Sequence, residues 1–308
     1  MQSKIQRSML ILPVNVQKFV EKAHTRGADA ILLDIEDAVP VSEKEHARSL
    51  VKNSIRLAGK GGSDVLVRVN NDPEMVTQDL EASIHDGLSG IFLPKTEAPE
   101  QVAQLENVIG FLENSRGLEP GSIRVSIHIE SPMGILKLRE IVEAGSRIES
   151  LSMGVDDYCL EMGIRPSSSA SELVFPMTTI AMVARAFNLL PLGILGSVAN
   201  FREMDKFRLC AQNARDMGFS GAYCIHPDQV KVLNEVFSPA NEELVWAGRV
   251  VECFEEALAR GRASTSLDGK MVDTPIYKQA LAVLKAAHAV EVVEDRKRAA
   301  QSSGSVEP

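Results

Sequence analysis

Two carboxylate groups stand closest to chemistry in this chain. The first is Glu130, at the end of the run R-V-S-I-H-I-E, and the second is Asp156-Asp157, at the end of S-L-S-M-G-V-D-D. Ionised carboxylates at the ends of buried strands are costly unless a positive charge sits between them, and a divalent cation is the simplest such charge. Glu130 and Asp157 would give Mg2+ two carboxylates, a number that leaves it waters and open positions for substrate oxygens. Asp156 is a helix-cap candidate and a weaker metal candidate. The other use for these acids is to cap the following helices or to pair with surface lysines.

A third acidic group, Asp34, Glu36 and Asp37, follows the apolar run A-I-L-L-D. Period-two alternation puts Asp34 and Glu36 on one face of that strand. The run D-V-L-V-R-V-N ends nearby with Arg68, whose guanidinium suits a carboxylate or an enolate oxygen. Its other role would be a structural ion pair with the same acids. His128 shares a face with Ser126 and Glu130 and reads as a satisfied core residue, and His226 in I-H-P-D-Q reads as orienting the last loop of the series. Lys44 and Arg48 lie one turn apart on a helix that starts near the same end, where a solvated face and a phosphate contact both remain open. No glycine-rich phosphate loop and no G-x-S-x-G elbow is present, which leaves covalent serine chemistry without support.

These residues need a scaffold that brings many strand ends together. Short apolar runs alternate with longer amphipathic ones at Ser8–Leu12, Ala30–Asp34, Val65–Asn70, Ile91–Pro94, Arg124–Glu130, Ser150–Gly154, Leu189–Leu195 and Gly221–His226. Helical stretches such as Val16–Arg26, Lys44–Leu57 and Ile135–Glu143 lie between them, with a capping box expected at Ser42 and Glu45. Repeated βα units predict a parallel sheet, either open or closed into a TIM barrel. An open sheet gathers its ligands at one switch point, whereas a barrel draws them from many strand ends. Polar residues close most of these runs, as in Asp34 to Asp37, Arg68 to Asn70, Pro94-Lys95, Glu130-Ser131, Asp156-Asp157 and His226 to Asp228, which favours a (β/α)8 barrel.

The barrel is expected over residues 1–235. Beyond it, residues 236–295 predict a helical extension with a polar lid loop at 261–274, and residues 296–308 predict a disordered tail. A formal charge of −9 with 44% apolar and 24% charged residues gives no electrostatic drive toward nucleic acid or anionic membranes. Without a signal peptide or a long apolar run the chain reads as cytoplasmic. The four cysteines, Cys159, Cys210, Cys224 and Cys253, form no C-x-x-C pair and read as free thiols.

The motifs R-S-M-L-I-L-P (7 to 13), L-D-I-E-D-A-V (33 to 39), V-R-V-N (67 to 70), L-P-K (93 to 95), I-E-S-P-M-G (129 to 134), G-V-D-D-Y (154 to 158), I-H-P-x-Q (225 to 229) and D-G-K-M-V-D (268 to 273) occur in this order. Together the series resembles the citrate lyase β-subunit family of CoA-ester lyases, within the HpcH/HpaI aldolase superfamily. The resemblance implies a Mg2+-dependent lyase that splits a citramalyl-, malyl- or citryl-CoA type of 3-hydroxyacyl-CoA into acetyl-CoA and a 2-oxo acid. It implies Glu130 and Asp157 as metal ligands, Arg68 and Glu36 in catalysis, and Asp273 as an acid/base reaching a neighbour's site in a homotrimer or dimer of trimers. Arg7, Asp37, Lys44, Arg48, Lys95, Gly154 and Asp156 are then expected to bind substrate and CoA. The segment L-G-I-L-G-S-V-A-N (192 to 200) lacks the tyrosine and aspartates that several relatives carry there, which leaves the acyl group open. The alternatives are an aldolase on free 2-oxo-4-hydroxy acids and the β subunit of a citrate lyase complex with an acyl-carrier-bound substrate.

Overall fold

Strands rich in Val, Ile and Leu pair side by side and in parallel, because each is followed by a helix that carries the chain back to the same starting end. The computed structural model describes residues 5–167, 169–199 and 201–304. The strands are β1 (Ser8–Pro13), β2 (Ala30–Asp34), β3 (Asp64–Arg68), β4 (Gly90–Leu93), β5 (Arg124–Ile129), β6 (Ile148–Met153), β7 (Leu190–Leu192) and β8 (Ala222–Cys224). Their order is β7-β6-β5-β4-β3-β2-β1-β8, and a parallel bridge between Leu192 and Gly221 brings the two ends of the sheet together. This is the expected TIM barrel. At the seam, a Cβ on Gly221 would lie 1.8 Å from the backbone oxygen of Gln6, so only glycine lets these backbones approach.

Period-two alternation divides the strand residues between two cores. Met9, Ala30, Leu32, Leu66, Phe92, Leu192 and Tyr223 fill the barrel interior. The outward residues, such as Leu10, Ile31, Leu33, Val65 and Ile91, pack under the helical layer. Strands β7 and β8 are shorter than the apolar runs that encode them, since the residues after Leu192 and Cys224 leave the ladder to form the mouth. The helix expected at Ile135–Glu143 is two short helices, Pro132–Leu136 and Leu138–Glu143. The Ser42–Glu45 capping box does not form. Ser42 lies inside a 3-10 turn, Val41–Glu43, that runs straight into the helix Lys44–Gly59.

The C-terminal extension is more ordered than its composition predicts. Helix Asn241–Ala259 leads into a hairpin of β9 (Thr265–Leu267) and β10 (Lys270–Val272), paired antiparallel where a loop was expected. One helix, Thr274–Gly304, then continues through most of the expected tail, of which 305–308 lie outside the described residues. The reason is tertiary. Lys297 is 4% exposed and donates to Asp29 at 2.6 Å and to the Gly27 carbonyl, while Arg296 pairs with Asp64. Gly27 and Asp29 precede β2 and Asp64 opens β3, so the last helix is pinned to the N-terminal end of the barrel. The apolar seam between the two C-terminal helices contains Ala247, Val250, Phe254, Val272 and Ala280. Among the described residues, no helix is long and apolar enough to cross a membrane.

Asp29 is the hub of this anchor, accepting from Arg7 Nε at 2.8 Å, from Arg7 Nη2 at 2.7 Å and from Lys297. The two cations hold its carboxyl below the usual range despite burial. Removing one partner of a buried ion cluster costs about 3–5 kcal/mol, because the others stay buried and uncompensated. Asp29→Ala should therefore lower the unfolding free energy by about that much in a urea titration, whereas Arg298→Ala, in an exposed pair with Asp295, should shift it by less than about 1 kcal/mol.

Candidate active site

The C-terminal ends of the strands enclose a cavity of ≈ 350 Å3 that touches Asp34, Arg68, His128, Glu130, Asp156 and Asp157. A larger groove of ≈ 940 Å3 runs past Lys52, Arg56, His85 and Arg116, away from these acids. The mouth is the candidate site because the ionisable groups converge there.

Asp34 and Arg68 are register partners on β2 and β3. Nε and Nη2 of Arg68 donate to the two oxygens of Asp34 at 2.8 and 2.6 Å, and Nη1 lies 3.4 Å from Glu36. The Asp34 carboxylate also accepts the backbone N–H of Glu36 at 2.8 Å and of Ala38 at 3.2 Å, wrapping the loop around itself. Burial raises the Glu36 carboxyl above its usual value even though Arg68 and Lys95 oppose that shift. Lys95 extends the network across β4. Its Nζ reaches Glu36 at 2.5 Å and Asp37 at 2.9 Å, and its backbone N–H donates to Glu130 Oε2 at 2.7 Å. Lys95 holds a left-handed backbone, φ 48°, which a side-chain-bearing residue adopts only when its surroundings compensate the strain.

Glu130 follows the last residue of β5, and Ser131 caps the helix that begins at Pro132 by accepting from Gly134 N–H at 3.1 Å. On the next strand, Gly154 caps the helix Val155–Glu161, with Asp156 and Asp157 in its first turn, where the helix dipole favours carboxylates. Asp156 accepts from Ser197 at 2.7 Å, a supporting contact. A Cβ on Gly154 would lie 2.7 Å from Cγ of Glu130, so this glycine makes room for the Glu130 side chain. His128 lies behind it, Nδ1 at 2.6 Å from the Ser152 hydroxyl and Nε2 at 3.5 Å from Glu130. Ser152 donates to the Ile127 carbonyl, so Nδ1 of His128 carries the proton and the Nε2 lone pair faces Glu130. Burial, with Arg68 and Lys95 nearby, pushes His128 down to about 3, and the ring is neutral.

The donor set fits Mg2+. Burial first, and then the neighbouring Asp157 charge, push the Glu130 carboxyl up to about 8, so the pair accommodates a further positive charge. Glu130 and Asp157 both line the cavity, and two carboxylates suit a hard cation that keeps waters and shares them with substrate.

Several expected site residues lie elsewhere or are otherwise engaged. Arg7 precedes β1 and is therefore at the opposite end of the barrel, 3% exposed and bound to Asp29, Ser238 and Glu294. Its place ahead of strand one was a signal against a role at the mouth. Lys44 is buried, and its ammonium donates to the Ile35 and Glu36 carbonyls at 2.9 and 2.6 Å, so it supports the acidic loop from behind. Arg48 donates to Asp79 at 2.6 Å, and Asp79 in turn accepts from the backbone and side chain of Asn70. Asp79, on the helix Val76–Ser83, was not a candidate from sequence, yet it secures the loop after β3. Asp273 does not line the cavity of its own barrel. It caps the last helix, accepting from Ile276 N–H at 3.3 Å. His226, read as orienting the last loop, caps the helix Pro227–Val236 by accepting from Asp228 N–H.

A family model described as HpcH/HpaI aldolase/citrate lyase matches residues 7–227, which spans the barrel. The chain is 33% identical over 294 residues to the citrate lyase subunit beta of Escherichia coli K12, covering 95% of this chain and 97% of the relative. It is 34% identical over 269 residues to a (3S)-malyl-CoA thioesterase of Cereibacter sphaeroides, covering 87% and 89%. Among solved structures it resembles the protein CitE of Mycobacterium tuberculosis in complex with magnesium, acetoacetate and coenzyme A, at 25% identity and a TM-score of 0.72, covering 92% of this chain and 98% of that one.

Two measurements test Glu130 as a candidate Mg2+ ligand. Cation binding requires Glu130 to ionise, so Mg2+ affinity by calorimetry should rise by close to tenfold per pH unit below its pKa and level off above about 8; a flat profile from pH 6 to 9 would remove Glu130 from the ligand set. Gly154→Ala should displace Glu130 and weaken Mg2+ at least about tenfold, with a melting temperature close to that of the parent protein.

Proposed function

The chain belongs to the HpcH/HpaI aldolase/citrate lyase family, and from that membership we propose that it is a Mg2+-dependent carbon–carbon lyase acting on a 3-hydroxyacyl-CoA thioester. The products are acetyl-CoA, or a homologue, and a 2-oxo acid. The observation that carries this reading is the pairing, in one cavity, of the Glu130/Asp157 carboxylates with a guanidinium held rigidly by Asp34 and Glu36. An aldolase on free 2-oxo acids needs no long C-terminal extension, so the extension favours the CoA ester.

Glu130 and Asp157 hold the cation, and Lys95 N–H fixes the orientation of Glu130. Held there, Mg2+ would supply Lewis acidity to the substrate hydroxyl and to the oxygens that become the 2-oxo acid. Arg68 meets the thioester oxygen, where negative charge develops as the C–C bond breaks. Its hydrogen bonds to Asp34 allow little reorientation, so the donor is arranged before reaction. Glu36 completes the cradle from the side of Nη1. Asp37 and Lys95 form the rim toward the CoA chain, with Gly154 and Asp156 opposite.

Asp273 takes the proton that the substrate hydroxyl loses as the C–C bond breaks and returns it to the carbon of the enolate, and because it does not line the cavity of its own barrel, it serves a neighbouring copy. We infer a cytoplasmic homo-oligomer, a trimer or a dimer of trimers. The exposed Leu136, Leu160, Phe175 and Met182, on helices around the second half of the barrel, support a covered face between copies.

Purified protein with Mg2+ should release a 2-oxo acid from at least one of citryl-, citramalyl- and malyl-CoA, and EDTA should abolish the release. Asp273→Asn should lower kcat by at least about 100-fold without altering Mg2+ affinity. Mixing inactive Arg68→Ala and Asp273→Asn protomers should restore part of the activity, because some sites then draw intact groups from two chains; no recovery after subunit exchange would refute donation between subunits.

A further inference from the structure

The mouth has two unlike halves. Strand ends β2 to β6 supply Asp34, Arg68, Glu130, Asp156 and Asp157, with Phe92, Met153 and Val155 among them, whereas the arc formed by β7, β8 and β1 supplies Ile194, Val198, Ile225 and Ile11, with Tyr223 beside them and no charged side chain, to the same cavity. Arg68 is the one cationic side chain among the described residues that line it. That guanidinium is already engaged by Asp34 and Glu36.

The proposed reaction places four groups on the carbon that bears the hydroxyl. The hydroxyl and the carboxylate turn toward the Glu130/Asp157 side, and the methylene that leads to the thioester turns toward Arg68. The fourth substituent is left with the aliphatic arc. We propose that the arc is a specificity wall selecting a 3-alkyl-3-hydroxyacyl thioester, so that the 2-oxo acid released carries an alkyl group in place of hydrogen or a carboxymethyl. This inference rests on the lyase reading above and narrows its substrate class.

Physical chemistry separates the three cases. Hydrogen leaves the wall unfilled and forgoes apolar burial. A methyl or ethyl group fills it. A carboxymethyl group would set a second carboxylate against isoleucine and valine with no free cation to meet it, and Asp156 and Asp157 nearby add repulsion.

The test compares kcat/KM for malyl-CoA, citramalyl-CoA, the ethyl homologue of citramalyl-CoA and citryl-CoA with the Mg2+-loaded protein. The alkyl esters should exceed malyl-CoA by about tenfold or more and citryl-CoA by at least about 100-fold. Ile225 is 42% exposed, so Ile225→Lys should fold, and it should shift the citryl-to-citramalyl ratio at least about tenfold toward citryl-CoA. Cleavage of citryl-CoA or malyl-CoA as efficient as that of the alkyl esters would overturn the proposal. A second readout, calorimetric binding of 2-oxo acids in the presence of Mg2+, separates this inference from the lyase reading. Pyruvate and 2-oxobutyrate should bind more tightly than oxaloacetate and glyoxylate. That order without cleavage of any ester would refute the lyase reading and leave the wall standing, and the reverse order would refute the wall.

Discussion

The Asp34–Arg68 pair sets the geometry of the mouth. Its members face each other across two strands in register, both largely withdrawn from water, and such a pair survives burial only when its remaining donors and acceptors are satisfied. Here they are, and the satisfaction spreads. Asp34 gathers the N–H groups of its own loop, the loop presents Glu36 to Arg68 and Lys95, and Lys95 turns its backbone N–H to Glu130. A continuous polar path therefore runs from β2 to the end of β5. The position of the Glu130 carboxylate depends on an ion pair formed two strands away.

That path explains why so many charged groups tolerate one small space. Asp34, Glu36, Asp37, Glu130, Asp156 and Asp157 crowd a mouth to which Arg68 and Lys95 bring two positive charges. Burial first, and then the nearby Asp157, push the Glu130 carboxyl upward. Lys44, spent on carbonyls behind the loop, adds support to its backbone more than charge to the cavity. The base of the barrel is the electrostatic counterpart. Arg7, Lys297, Asp29 and Glu294 balance there, and the cluster serves to hold the last helix in place.

Much of the site was readable because local rules suffice for it. Period-two alternation set Asp34 with Glu36 and His128 with Glu130 on shared faces, and the apolar runs ended at Glu130 and Gly154, where helices follow. Other residues misled for physical reasons. Lys44 and Arg48 look like a solvated basic pair on a helix, yet one is committed to carbonyls of the preceding loop and the other to Asp79. Polar composition made the segment around Gly261 to Asp273 look like a loop, although β9 and β10 need only each other and the adjoining helix to pair. The tail reads as disordered by composition, but ion pairs at the barrel base hold its described part, 296–304, in the last helix.

By itself, the sequence determined the order of elements, the parallel barrel and the identity of most charged groups at the strand ends, since these follow from periodicity and from short stretches of chain. Only the tertiary structure decided which partners those groups take: Arg68 with Asp34, Lys95 with Glu36 and Glu130, Arg7 with Asp29, and Lys297 with the barrel base. It also decided that Ile11, Ile194, Val198 and Ile225 form one wall. Partner choice joins residues tens to hundreds of positions apart, and it depends on closure of the barrel, which no local pattern encodes.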